Sequence, residues 1–382
     1  MKYAVGALIA LCVVALLLVT RGGRGGRIVE VPLTIPANCS RAVDAELRRF
    51  LAGVPNGATV RFPTKRCYAE TTAIKVYDRR DLVIDGGGST FRKVSTSSPS
   101  PRPPPSDSNS HPNWRIAGGS DITLRNMIIR GAYTGVPNPG NQFDPGVSIW
   151  GVSGIQLLNL SIYNVDGDFV TADPDLRGRW PGSYGAYPFS RRVTIDHLRG
   201  ENSARQGVSF THADGGRVAN SYLSGVGLAS TTGGGAGVDL EIDAGGERVR
   251  NVAVVDNTFG KVGYSAIALV PGGSPNVGNV FIARNKMSVP PAACGPAIYL
   301  GDASGTKTGI VVVHNVIVTQ GDGIRLDNVA GSIGDNVIVH RARPGLCDDP
   351  ALAPPYPVPV RRVSAGGVLT GNVSRGFGPA VP

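Results

Sequence analysis

Apolar residues in this chain come in short runs broken by one polar corner, and the pattern returns along the sequence. The clear copies are Leu124-Arg125-Asn126-Met127-Ile128-Ile129, Leu157-Leu158-Asn159-Leu160-Ser161-Ile162, Val254-Val255-Asp256-Asn257-Thr258-Phe259, Ile282-Ala283-Arg284-Asn285-Lys286-Met287, Val312-Val313-His314-Asn315-Val316-Ile317 and Ile333-Gly334-Asp335-Asn336-Val337-Ile338. Weaker copies centre on His197, Asn220 and Asn372, and successive centres lie 21 to 38 residues apart. A unit repeating at that interval is the signature of a solenoid. The runs are short, rich in Val, Ile and Leu, and carry no helical period, so the solenoid is built of strands.

The corner residue has a reason. A chain turning between two strands needs a residue at positive φ, and Asn adopts it far more cheaply than a β-branched residue. Stacked coils also set these amides above one another, where they can bond between turns. Glycine or alanine precedes the next strand in Gly207-Val208, Gly237-Val238, Ala266-Ile267, Ala297-Ile298 and Gly323-Ile324. Near the start, residues 40–51 read as an amphipathic helix, with Ser40 as N-cap and Val43, Leu47, Phe50 and Leu51 on one face. A solenoid has an open apolar end, and this helix is placed to close it. The Ser/Pro-rich residues 95–113, together with 133–145, 173–190 and 341–361, read as insertions, which repeat proteins tend to gather on a binding face.

Over roughly residues 38–375 this coil pattern resembles the right-handed parallel β-helix superfamily that includes pectate lyases, polygalacturonases and phage tailspikes. The resemblance implies an all-β chain: a right-handed single-stranded parallel β-helix (solenoid) with a short N-terminal capping helix, filling residues 28–382. It also implies a carbohydrate partner. Polygalacturonases carry Asn-Thr-Asp, Asp-Asp, Gly-His-Gly and Arg-x-Lys on successive coils. Here Asn164-Val165-Asp166 matches the first in part, Arg205-Gln206-Gly207 stands where the His motif is sought, and the other two are missing. The resemblance therefore speaks for the fold more than for that reaction.

Composition refines this picture. The 382 residues include 53 Gly and 29 Pro, 17% are charged and 41% hydrophobic, which fits a turn-rich β protein with a continuous interior. The net charge of +10 points to an anionic partner. The basic residues are scattered and form no nucleic-acid motif, so an acidic polysaccharide is expected rather than nucleic acid. Residues 4–19 are an unbroken apolar run, either a signal-peptide core or a short membrane anchor, followed by a Gly/Arg tether to residue 27. The protein is thus expected to be secreted or held at the outer face of the membrane. Beyond Cys12 four cysteines remain, an even count that suggests disulfides in an exported chain, Cys39 with Cys67 and Cys294 with Cys347.

Strand alternation locates the chemistry. With Val208 and Phe210 inward, Arg205, Ser209 and Thr211 face out; with Val238, Leu240 and Ile242 inward, Asp239 and Glu241 face out on the same side. The same rule puts Asp166 and Asp168 there one coil earlier, and Arg325 with Asp327 later. Coils stack about 4.8 Å apart, so Asp166, Asp168, Arg205, Asp239 and Glu241 are expected to form one charged patch, with Asp168, Arg205, Asp239 and Glu241 as its catalytic set. A pair of carboxylates serves a glycoside hydrolase; a base beside a cation serves a polysaccharide lyase. Arg205 supplies the cation, or Ca²⁺ held by Asp166, Asp168, Asp239 and Glu241 does. The insertion carrying Arg179, Trp180 and Tyr184 is expected to bind sugar by stacking and forked hydrogen bonds, with Arg325 as a further contact. A non-catalytic glycan- or cell-wall-binding surface module is the other reading of the same groove.

Overall fold

The computed structural model describes residues 26–94, 110–138, 142–177, 188–229, 235–242, 247–270, 277–288, 295–301, 307–327, 329–341, 359–363 and 367–375. Their strands form one sheet of 21 strands and one of 10, with parallel pairing from coil to coil. One coil shows the plan. Ser153–Val165 runs along a first face, bends at Asn159 and continues along a second. The chain turns through Asp166–Asp168, and Val170–Asp173 then joins the third face, which is the 10-stranded sheet. The next coil repeats this with Ser190–Asp196, Arg199–Ser203 and Val208–Phe210 in register. The protein is a right-handed parallel β-helix.

Inward residues stack like on like. On the third face Ile74, Trp114, Val147, Val170, Val208, Val238, Ile267, Ile298 and Ile324 form one column by register. All nine are buried in one continuous core. Glycine makes room for some of the inward rings: a Cβ on Gly216 would lie 2.9 Å from the Phe210 ring. Phe62, Tyr68, Phe91 and Trp114 pack edge-on or stacked at the N-terminal end, with centroids 4.9 to 6.5 Å apart.

The corner divides between two neighbouring positions. In the early coils the Asn or His itself takes positive φ: Asn126, Asn159, His197 and Asn220. In the later coils the preceding residue does so, at Asp256, Arg284, His314 and Asp335. The asparagine that follows turns inward. Asn257, Asn285, Asn315 and Asn336 are buried, and each amide bonds the next: Asn257 Nδ2 donates to Asn285 Oδ1, Asn285 Nδ2 to Asn315 Oδ1, Asn315 Nδ2 to Asn336 Oδ1 and Asn336 Nδ2 to Asn372 Oδ1, at 2.9 to 3.0 Å. A single asparagine cannot both turn the corner and line the core, so two positions share the work.

The capping helix, α1, spans Asp44–Gly53. Its N-cap is Val43, with no side-chain cap, and Ser40 lies in the strand Asn38–Ala42 instead. The Asp44 carboxylate reaches across to Thr71 N at 3.1 Å and Thr72 Oγ1 at 2.6 Å, tying the helix to the coil below. Val43, Leu47 and Leu51 close the core as expected. Cys39 and Cys67 form a disulfide between adjacent strands. Cys294 and Cys347, and the apolar run 4–19, lie outside the described residues. Among the described residues no helix is long and apolar enough to cross a membrane.

A buried polar cluster fastens the segments around residues 110 and 144 to the coils. Lys93 bonds His111 O and lies 3.5 Å from Asp144, both side chains buried; Asn113 Nδ2 donates to Glu70 Oε1 and Arg130 O. Burial pushes the Glu70 carboxyl well above its usual value near 4.5. As pH rises past that value the unfolded chain gives up its proton before the folded one, so stability falls towards neutral pH. Glu70→Gln is therefore expected to raise the melting temperature at pH 7 by a few degrees and to leave it unchanged at pH 4. Thermal melts at the two pH values check this.

Candidate functional site

Outward positions of the third face fall in two rows. One runs Lys75, Arg115, Ser148, Thr171, Ser209, Asp239, Ala268, Tyr299, Arg325. The other contains Tyr77, Ala117, Trp150 and Asp173, and later Glu241 paired with Val270. The N-terminal half of this face is roofed. The Arg115 guanidinium stacks 3.9 Å from the Trp150 ring, and Ala117, Trp150, Leu176 and Tyr77 pack into a small second core outside the coils. Among the described residues Lys75, Tyr77 and Asp173 reach solvent in that half of the face. Partly exposed side chains return at Arg205, Glu241, Val270, Tyr264, Tyr299 and Arg325.

The expected patch is assembled at that edge. Arg205 sits between two carboxylates, with Nη1 3.6 Å from Asp168 Oδ2 and Nη2 3.4 Å from Glu241 Oε2. Asp168 is fully buried and accepts from Gln206 N at 2.9 Å and Ser209 Oγ at 2.7 Å. Asp239 is buried as well and accepts from Gln206 Nε2 at 2.7 Å. Gln206 Oε1 in turn accepts from Gly235 N at 2.9 Å and Ala236 N at 2.6 Å, which locks the amide that holds Asp239. Glu241 and Arg205 remain 24% and 22% exposed at their side chains. The set thus has two buried, hydrogen-bonded carboxylates and one that meets solvent beside a guanidinium.

The route to this set differs in part from strand alternation. Asp166 and Asp168 lie in the turn ahead of Val170–Asp173, not at outward strand positions. Asp168 nonetheless reaches the patch because the turn folds against Gln206. Asp166 lies near Tyr133, whose phenol is raised by burial and then by the Asp166 charge. Arg325 pairs with Asp327 at 3.1 Å, as a surface pair two coils beyond Ala268. Arg179, Trp180 and Tyr184 lie outside the described residues. Among the described residues no group of three or more His, Cys, Asp or Glu side chains is arranged to hold a metal, and the Asp168 oxygens proposed for Ca²⁺ are engaged by Gln206, Ser209 and Arg205.

Sequence reading missed Gln206, which positions Asp239, and the tyrosines Tyr264 and Tyr299. Gln206 precedes the strand and has no alternation signal. Tyr299, between Ile298 and Leu300, was open to the rule that found Asp239.

No protein-family model matches this sequence, and no curated protein is similar to it in sequence. Solved structures do match its shape. The endo-xylogalacturonan hydrolase from Aspergillus tubingensis superposes with a TM-score of 0.63 at 11% identity, over 91% of this chain and 92% of that one. DFA-IIIase from Arthrobacter chlorophenolicus A6, without its lid, superposes at 0.60 and 11% identity, over 92% and 90%. The fold this chain shares with these two proteins is the right-handed parallel β-helix.

Proposed function

We propose that the protein hydrolyses glycosidic bonds of a polysaccharide lying along the third face, at Asp239 and Glu241. The observation that carries this is the placement of Glu241. It is partly exposed, ion-paired to Arg205, and two residues along the strand from a buried carboxylate that Gln206 holds in place. Two residues on one strand face stand about 6.7 Å apart, which suits a pair of carboxyl groups with a water between them, the inverting arrangement. Glu241, charge-balanced by Arg205, acts as base toward that water. Asp239 passes a proton to the departing sugar oxygen. Asp168 holds Arg205 in place from its buried side.

The lyase reading needs a cation free to take the charge of a uronate. Both terminal nitrogens of Arg205 are already turned toward carboxylates, which favours hydrolysis. An acidic polymer was expected from the overall charge of +10, but in this cleft Asp168, Asp239 and Glu241 face a single Arg205, which supports a neutral or mixed polymer. The apolar run at residues 4–19 supports export, with the body secreted or tethered outside the cell.

The test is incubation with a panel of neutral, mixed and uronate polysaccharides, reading new reducing ends and, separately, absorbance of unsaturated ends. Reducing ends without unsaturated ends support hydrolysis. Unsaturated ends would make it a lyase. Retained binding with no product from any polymer would leave a glycan-binding module.

A further inference from the structure

Beyond the carboxylates the same face carries an aromatic corner that the hydrolytic step does not use. Asp239 pairs by register with Ala268, and Ala268 with Tyr299, so Tyr299 stands two strand spacings, roughly 10 Å, from Asp239 on the same outward row. Beside them Val270 follows Glu241 in register and is 36% exposed. Tyr264 stands in the turn three residues before Ile267, as Arg205 stands three before Val208. It is 40% exposed, and its ring lies edge-on to Tyr299 with centroids 6.3 Å apart.

Glycines leave room for both rings. A Cβ on Gly295 would lie 3.0 Å from the Tyr264 ring, and one on Gly301 would lie 2.6 Å from the Tyr299 phenol. The Tyr299 hydroxyl donates to Asp327 Oδ2 at 3.3 Å, and burial, with the Asp327 charge second, pushes that phenol up to about 12, so it stays a donor at neutral pH. The Asp327 carboxylate also pairs with Arg325, at 3.1 Å.

We infer that Tyr264 and Tyr299 form a binding subsite for a neutral sugar ring, C-terminal to the cleavage point along the same groove. This rests on the proposed hydrolytic reading for where the bond is cut, but not for the binding itself. Exposed tyrosines offer a sugar both an apolar face and a hydroxyl. A uronate here would meet poor company. Across cleft and subsite the described residues present four carboxylates, Asp168, Asp239, Glu241 and Asp327, against two guanidiniums, Arg205 and Arg325, and each guanidinium is already paired. On this inference the local pairing of charges, rather than the +10 of the whole chain, selects the sugar.

The experiment measures binding by calorimetry to full-length Glu241→Gln protein, which on the hydrolytic reading leaves the ligand intact. The probes are xylohexaose, cellohexaose, mannohexaose, a fructo-oligosaccharide and hexagalacturonate, at low salt. At least one neutral oligosaccharide is expected to bind at least tenfold tighter than hexagalacturonate. Tyr264→Ala and Tyr299→Ala are each expected to weaken it about tenfold with unchanged melting curves, and the exposed Tyr264 guards against a folding defect at Tyr299. The inference is overturned if no neutral probe binds, if hexagalacturonate binds tightest, or if both alanine variants bind as before. Cleavage persisting in Glu241→Gln, or never seen at all, would remove the catalytic reading while leaving a tyrosine-dependent affinity standing.

Discussion

Replacing Asn285 by leucine is expected to lower the unfolding free energy by about 3 kcal/mol. The side chain is completely buried. Its Nδ2 donates to Val254 O at 2.8 Å and Asn315 Oδ1 at 3.0 Å, and its Oδ1 accepts from Asn257 N and Asn257 Nδ2, both at 3.0 Å. Leucine has the same branching as asparagine, with a bulkier end, but none of these partners. Asn257 N loses its acceptor and Val254 O loses a donor, at roughly 1–3 kcal/mol for each buried group left short, while Asn257 Nδ2 keeps Val218 O and Asn315 Oδ1 keeps the backbone N–H of residue 285. The loss should fall toward the end of the ladder. Asn372, only half-buried, accepts from Asn336 and donates to Ile333 O at 3.1 Å, and Asn372→Ala should cost only about 1 kcal/mol. Denaturant titration of the two variants reads the difference. Equal losses would mean that the ladder is not a cooperative spine.

The second large effect is on activity. Glu241→Gln keeps the shape of the side chain but removes its charge and its ability to take a proton. If Glu241 activates water, turnover should fall by about 10³-fold or more, in the range that a lost general base removes. Asp239→Asn should cost a similar factor through the leaving group. The fold should tolerate Glu241→Gln, because the carboxylate lies at the surface edge and its ion pair with Arg205 is partly solvated. Arg205 keeps Asp168 as a partner in that variant. Initial-rate assays on the polysaccharide that the panel identifies, run alongside melting curves, separate the two effects. An unchanged rate in Glu241→Gln would move the chemistry elsewhere.

Most of the architecture was legible in the chain, because a solenoid writes its coil length directly into the sequence. The six Asn-centred runs fixed the winding, and alternation from Val208 and Val238 placed Arg205, Asp239 and Glu241 on one face. What the pattern blurred was position within a corner. Asn126 and Asn285 look alike in sequence, yet the first holds positive φ and the second is a buried rung, because a one-residue shift decides which of two adjacent residues turns. Turns were the other limit. Asp168 arrives at the site from a turn and Gln206 from the residue before a glycine, where no period of two applies. Ser40 failed as a cap because the residues ahead of α1 pair with the next coil instead of ending in a loop.

The most direct test is a crystal structure of the Glu241→Gln protein soaked with an oligosaccharide that the wild type cleaves. The account predicts the sugar chain along the 10-stranded sheet, with a glycosidic oxygen within hydrogen-bond reach of Asp239 and the adjoining anomeric carbon facing residue 241. A sugar chain bound on either face of the 21-stranded sheet, away from Arg205, would contradict it.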